Sequence, residues 1–251
     1  MIIKEIKNKI DIISNINKLT NTLSMISLSK MKKYLKIILI LNNLFNNINF
    51  FFNYIKIENK FLFCLIIIST NKGLCGSINN EIIKKTINLL KLNNNIDFFI
   101  VGKKAYDYFF KKNFLIKNLF LFKDNENIEN IKFPINIINN LLKYKNITFI
   151  FNKIINNNIK VLKINLYEYK NINYISKFNF NKKKFLIFYF NFFLKYTIMN
   201  NIFCELKSRM ITMKSASDNS KKILKEMKIL KNKIRQFKVT QDMLEIINGS
   251  L

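Results

Sequence analysis

From Met31 onward the apolar side chains recur at Met31, Tyr34, Ile38, Leu41, Phe45, Ile48, Phe52 and Ile55, in steps of three and four that repeat every seven residues. Seven residues make about two turns of α-helix, so this spacing draws a coiled-coil seam along one edge of a long helix. Upstream the stepping continues more loosely at Ile2, Ile6, Ile13 and Leu23, with polar residues at Lys9, Asn17 and Thr20 that are expected to loosen it. No Pro or Gly interrupts residues 1–57. At the other end Asn181 is placed to cap a helix beginning at Lys182, and no Pro or Gly follows until Gly249. Within that span Phe203, Leu206, Met210, Met213, Ile223, Met227, Leu230, Ile234 and Phe237 again step by three and four, except across the polar stretch 215–220. At about 1.5 Å per residue, residues 200–251 alone would form a helix roughly 75 Å long. Two such helices can cover their stripes only against each other or against a partner. Lying at opposite ends of the chain with an insert between them, they are expected to pair antiparallel.

The middle of the chain reads differently. Short apolar runs at 61–69, 97–102, 118–122, 147–151 and 160–166, bounded by polar turns, predict strands. Helical candidates at 78–91, 103–112 and 134–143 lie between them, and such alternation predicts an α/β layer with a mostly parallel sheet. The Asn-rich stretch 156–158 reads as an exposed loop. The division that follows is an N-terminal helix over 1–57, an α/β domain over 58–176 and a C-terminal helix over 177–251.

Composition narrows the function classes. The formal net charge is +28, from 43 Lys and Arg against 15 Asp and Glu, which would ordinarily point to nucleic acid or an anionic membrane. Here the lysines are spread along the whole chain among Asn and Ile, with no basic tail and no Arg cluster, a pattern of base-composition drift that argues against nucleic acid as the partner. There is no His, so imidazole metal sites, Ser-His-Asp triads and Cys-His pairs are excluded from this chain. Cys64, Cys75 and Cys204 are odd in number and lack CxxC spacing, which speaks against a disulfide framework and a zinc site. No uncharged stretch reaches the ~18 residues needed to span a bilayer, and the N-terminus has no apolar leader core. A cytoplasmic protein is expected, with membrane contact only through partners.

The scarce residues are unevenly placed. Both Arg (Arg209, Arg235), both Gln (Gln236, Gln241) and Ala216, one of two Ala, fall in the C-terminal helix. Gly73 and Gly76 stand three apart in STNKGLCGSIN, directly after the first strand. That segment reads either as a tight strand-to-helix turn that needs positive φ, or as a phosphate cradle at a helix N-terminus. It lacks the spacing of a P-loop and of a dinucleotide-binding turn.

LTNTLSMISLSKMKKY at 19–34, STNKGLCGSINNEI at 69–82, VGKKAYDYF at 101–109 and ELKSRMITMKSASDNSKKILKEMKILKNKIRQFKVTQDMLEIINGS at 205–250 resemble, in order and spacing, the signatures of the gamma subunit family of rotary, proton-translocating ATP synthases. The resemblance is good at both ends and around the first strands, and poor over 113–200. It implies a Rossmann-like α/β domain inserted between terminal helices that form an antiparallel coiled coil, a central shaft inside a ring of three alpha and three beta subunits. It further implies a peripheral place on the cytoplasmic face of the inner membrane, with an epsilon subunit and a membrane c-subunit ring as further partners. Catalysis would belong to the beta subunits, and this chain would carry neither a cofactor nor a metal. Carried over from the family, Arg235, Gln236, Thr240, Gln241, Asp242 and Glu245 would contact beta, with Asp242 standing where the family has Glu. Leu23, where the family usually has Met, would make a neck contact with Lys30 and Met31. Gly73, Leu74, Cys75 and Gly76 would belong to the foot, with Asn71 and Lys72 replacing the Asp-Arg that commonly precedes that turn. The competing readings are a basic coiled-coil protein that binds nucleic acid or a membrane surface, and a nucleotide-dependent α/β enzyme that would turn over substrate alone.

Overall fold

A computed structural model describes residues 2–52, 63–91, 96–121, 134–141, 143–144, 146–166 and 182–249. The first helix, α1, runs over Ile2–Phe52. It is followed by β1 (Phe63–Ile68), α2 (Ile78–Leu90), β2 (Ile96–Val101), α3 (Lys103–Lys111), β3 (Ile116–Phe120), α4 (Ile135–Leu141), β4 (Asn146–Ile155), β5 (Asn158–Asn165) and α5 (Lys182–Gly249). All five strands and all three short helices lie within a few residues of their expected places. The cap expected at Asn181 and the domain borders expected at 57/58 and 176/177 fall outside the described residues. By internal contacts the chain divides into two compact units, one of Met1–Leu28 with Arg209–Leu251, the other of Ser29–Ser208.

In the larger unit the sheet order is β3-β2-β1-β4-β5. The β1 strand pairs parallel with β2 and β4, β2 pairs parallel with β3, and β4 pairs antiparallel with β5. The hairpin between β4 and β5 turns on Asn156 and Asn157, with φ of 49° and 62°. Two successive left-handed residues match the right-handed twist of the flanking strands, and Asn is among the few residues that accept the conformation readily.

Central strands buried on both faces carry continuous apolar runs, and β1 shows why. Its Cys64, Ile66 and Ile68 face a cluster with Phe99, Val101, Ile147, Phe149 and Phe151. The intervening Leu65 and Ile67 face the opposite cluster, closed by Ile82 and Ile83 of α2 and by Ala105 and Phe109 of α3. The first cluster is closed by Ile138 and Leu141 of α4 and by Tyr189, Phe190, Phe193, Leu194, Tyr196 and Ile198 of α5, with Leu41, Phe45 and Ile48 of α1 packed against it. Thus the apolar run at 185–194 lies on a helix that faces the core. Phe45 stacks on Tyr196 with ring centroids 4.4 Å apart, and Phe193 meets Phe149 at 4.6 Å.

In the smaller unit, α1 and α5 run antiparallel. Asn17 reaches Ser217 and Ser220, whereas Ser24, two turns further along α1, reaches the carbonyl of Met210, two turns back along α5. The covered positions of α1 here include Ile3, Ile6, Ile10, Ile13, Asn17, Thr20, Ser24 and Ser27, which alternate by three and four. Lys9 is therefore no gap, because it is exposed and Ile10 holds the seam. Asn17 and Thr20 lie in the seam and are bonded there, Thr20 Oγ1 donating to the Ile16 carbonyl at 2.9 Å.

On α5 the covered positions continue through the polar stretch at Ser217 and Ser220, then Leu224, Met227, Lys231 and Ile234. The sequence reading shifted this register: Ile223, Leu230 and Phe237 are 41%, 45% and 71% exposed. Apolarity alone misplaced them, because two serines and a lysine hold seam positions.

Candidate functional surface

The turn after β1 is held by side chains that sequence spacing did not single out. Asn79, on the first turn of α2, bonds back to Thr70 twice, accepting from the Thr70 amide at 3.2 Å and donating to Thr70 Oγ1 at 2.8 Å. Asn79 Nδ2 also lies 3.4 Å from Cys75 Sγ. From α5, Ser208 Oγ donates to the Cys75 carbonyl at 2.5 Å, so Cys75, 2% exposed, is an inward strut. Of the two glycines, Gly76 needs its freedom, with φ of 65°. Gly73 does not have a positive φ, but Leu74 does, at 60°, and its side chain is 68% exposed. A branched apolar residue in the left-handed region and projecting outward is costly in isolation, which marks it as a feature held in place by its surroundings.

The neighbouring helix α3 is tied to the same turn by its first amides. The Lys103 amide donates to Asn71 Oδ1, that of Lys104 to the Thr70 carbonyl, and that of Ala105 to Ser69 Oγ. The first-turn amides of α3 are thus satisfied by the protein itself. Gly102 makes this close approach possible: its φ is 99°, and a Cβ there would fall 2.3 Å from the Ser69 carbonyl oxygen. Its signal in the sequence is a lone Gly directly after a strand.

The thiols are buried and structural. Burial, with some help from the Asp97 carboxylate, pushes Cys64 well above its usual pKa, and burial lifts Cys204 to about 12 against the small opposing pull of Lys207. Thiols so placed stay protonated and unreactive.

Beyond Ile234 every described residue of α5 is exposed, through Gly249. That segment carries Arg235, Gln236, Thr240, Gln241, Asp242 and Glu245, all on the surface. Thr240 Oγ1 donates to the Gln236 carbonyl at 3.0 Å, and Gln241 Nε2 to Glu245 Oε1 at 3.1 Å, one turn apart in each case. Phe237, Met243, Leu244, Ile246 and Ile247 are interleaved with them, each more than half exposed. On α1, Ile12, Ile16, Leu19 and Ile26 form a second apolar row, 48–60% exposed, outside the seam. Leu23 and Met31 are half-buried and Lys30 is exposed. Exposed apolar side chains grouped in this way make both stretches candidate contact faces. No described helix is long and apolar enough to cross a membrane.

Residues 2–250 match the family described as ATP synthase. The gamma chain of an ATP synthase from Buchnera aphidicola subsp. Schlechtendalia chinensis is 32% identical, over 98% of this chain and 97% of the relative. That from Blochmanniella floridana is 29% identical, over 99% and 98%. Among solved structures, a rotor chain of the Euglena gracilis mitochondrial ATP synthase shares the fold with a TM-score of 0.71 at 13% identity, covering 94% of this chain and 98% of that one. A central-stalk chain of the Tetrahymena thermophila enzyme does so with a TM-score of 0.64 at 21% identity, over 79% and 99%. With long terminal helices, a mixed α/β sheet between them in the chain and relatives matched over almost their whole length, the chain belongs to the ATP synthase gamma chain family.

Proposed function

We propose that this chain is the central rotor subunit of an ATP synthase, a non-catalytic shaft that couples rotation driven at the membrane to ATP chemistry in partner subunits. Family membership supports this reading, and one observation carries it to particular residues: the Arg235–Gly249 end of α5 is exposed at every position, with charged and apolar groups interleaved. A helix in that state needs a surrounding partner, and a ring of beta subunits alternating with alpha, three of each, supplies one. Arg235, Gln236, Thr240, Gln241, Asp242 and Glu245 would touch beta subunits in turn, the planar guanidinium of Arg235 meeting a carboxylate on the passing neighbour. Leu23, Lys30 and Met31 would add a neck contact. The turn Gly73, Leu74, Cys75 and Gly76 would serve the foot, where an epsilon subunit and the c-subunit ring join the shaft at the cytoplasmic face of the inner membrane, with Leu74 as its exposed contact. The working division remains a helix over 1–57, an α/β domain over 58–176 and a helix over 177–251.

Coupling requires differential contact. A shaft that bound every beta conformer equally would shift no population among them, so the exposed face must favour some conformers over others. The test replaces Arg235 and Gln236 by Ala in the assembled complex and records ATP-driven rotation. Loss of torque or rate is expected, and an unchanged rotation rate and torque would remove both residues from the coupling role.

A further inference from the structure

We propose that Asn17 sets the local register of α1 and α5 within the smaller unit, a specificity role that stands apart from the rotor reading and does not depend on it. The seam beside it cannot do so. Ile3, Ile6, Ile10 and Ile13 are four equivalent knobs, and sliding α5 by one heptad, about 10 Å along the axis, exchanges one isoleucine site for another. The Ser24 bond cannot do so either, because its acceptor is the Met210 backbone carbonyl, and any register supplies a carbonyl.

Asn17 differs. Its Nδ2 donates at 2.7 Å to Ser220 Oγ and at 2.7 Å to the Ser217 carbonyl, with Ser217 Oγ at 3.4 Å. Ser217 and Ser220 are only 2% and 5% exposed. One heptad away in either direction, the positions of these serines are occupied by Met210 and Met213 or by Leu224 and Met227. Neither pair offers a side-chain oxygen, so in either slipped register the amide would lose its hydroxyl partner and keep only a backbone carbonyl; one slip would set the serines against Ile10 and Ile13, the other against Ser24 and Ser27. Losing that hydroxyl partner inside a covered seam penalises the wrong registers.

The test uses the full-length chain with Asp11→Cys and Lys222→Cys spin-labelled; both positions are exposed, while the three native thiols are buried. Pulsed dipolar spectroscopy should give one distance in the parent chain. In Asn17→Leu and Asn17→Ala, a second population should appear, displaced by an axial slip of about 10 Å, with helix content retained. A single unchanged distance in both variants would overturn the proposal, because register would then be set elsewhere. A broad distribution reporting separated helices would overturn it too, making Asn17 a source of adhesion instead of alignment.

Discussion

One helix, α5, passes through both units and behaves differently in each. Between Tyr189 and Ile198 it offers six side chains to the sheet, none more than 1% exposed, and the aromatic rings around Phe193 pack at 4.6–6.1 Å. From Arg209 onward it covers a single edge, partly with serines, and leaves Ile211, Ile229 and Phe237 more than half exposed. The sheet unit is stabilised by its own interior. The helical pair gives up much of that stabilisation and keeps apolar surface for others. Burial thus separates the part of the molecule that holds itself together from the part that acts on neighbours.

The chain carries a probe that can break this comparison. All ten tyrosines fall between Tyr34 and Tyr196, inside the Ser29–Ser208 unit, so near-ultraviolet dichroism of tyrosine reports that unit alone while far-ultraviolet dichroism reports the helices. The largest effect is expected from Phe193→Ala. Deleting a fully buried ring should cost about 3–5 kcal/mol, read as an early loss of the tyrosine signal in a urea titration. A variant with an unchanged tyrosine transition would mean that α5 is not part of the core.

Alkaline pH should give a smaller loss confined to the same unit, since all three cysteines lie within it. Burial raises Cys64 and Cys204 in the folded chain, so above the unfolded value of 9.0 the unfolded state releases its protons first. The folded state then binds more protons, and stability falls as pH rises. For Cys204, whose folded value is about 12, the loss between pH 9 and 10.5 should be roughly 1–2 kcal/mol. Cys204→Ala should flatten that part of the slope in urea midpoints taken across the range; an equally steep slope would show that the thiol ionises without cost.

The smallest effect on folding is expected where the effect on assembly is largest. Phe237→Ser should leave both dichroism transitions within about 0.5 kcal/mol of the parent, while weakening co-purification with the alpha and beta subunits. A large loss of helix stability would mean that Phe237 packs within the chain.

How much of this could be read in advance depended on the kind of signal. Strand and helix positions were legible because burial on both faces of β1, β2 and β4 forces long apolar runs that polar turns delimit. The seam was legible from Met31 to Ile48, where its members are large and apolar. It was misassigned around Ile223 and Leu230 because helix pairs accept Ser and Lys at contact positions, and composition does not tell a buried serine from an exposed one. The strand order was not legible at all, as β1 lies between β2 and β4 through contacts that no local pattern encodes. Likewise Ser208 and Asn79, which tie down the turn after β1, look like ordinary surface residues until the fold brings them to Cys75 and Thr70. The residues proposed to meet beta subunits came from resemblance alone; the fold adds that they stand uncovered.

The unbroken course of α5 from Lys182 to Gly249 also limits how the gene can change. Deleting one residue anywhere within it would swing all later side chains by about 100° around the axis, carrying core-facing or seam groups to the wrong side. Lineages that shorten this chain must therefore trim the connections between strands, or remove helix in blocks of about seven, so length variation among descendants should map onto the loops.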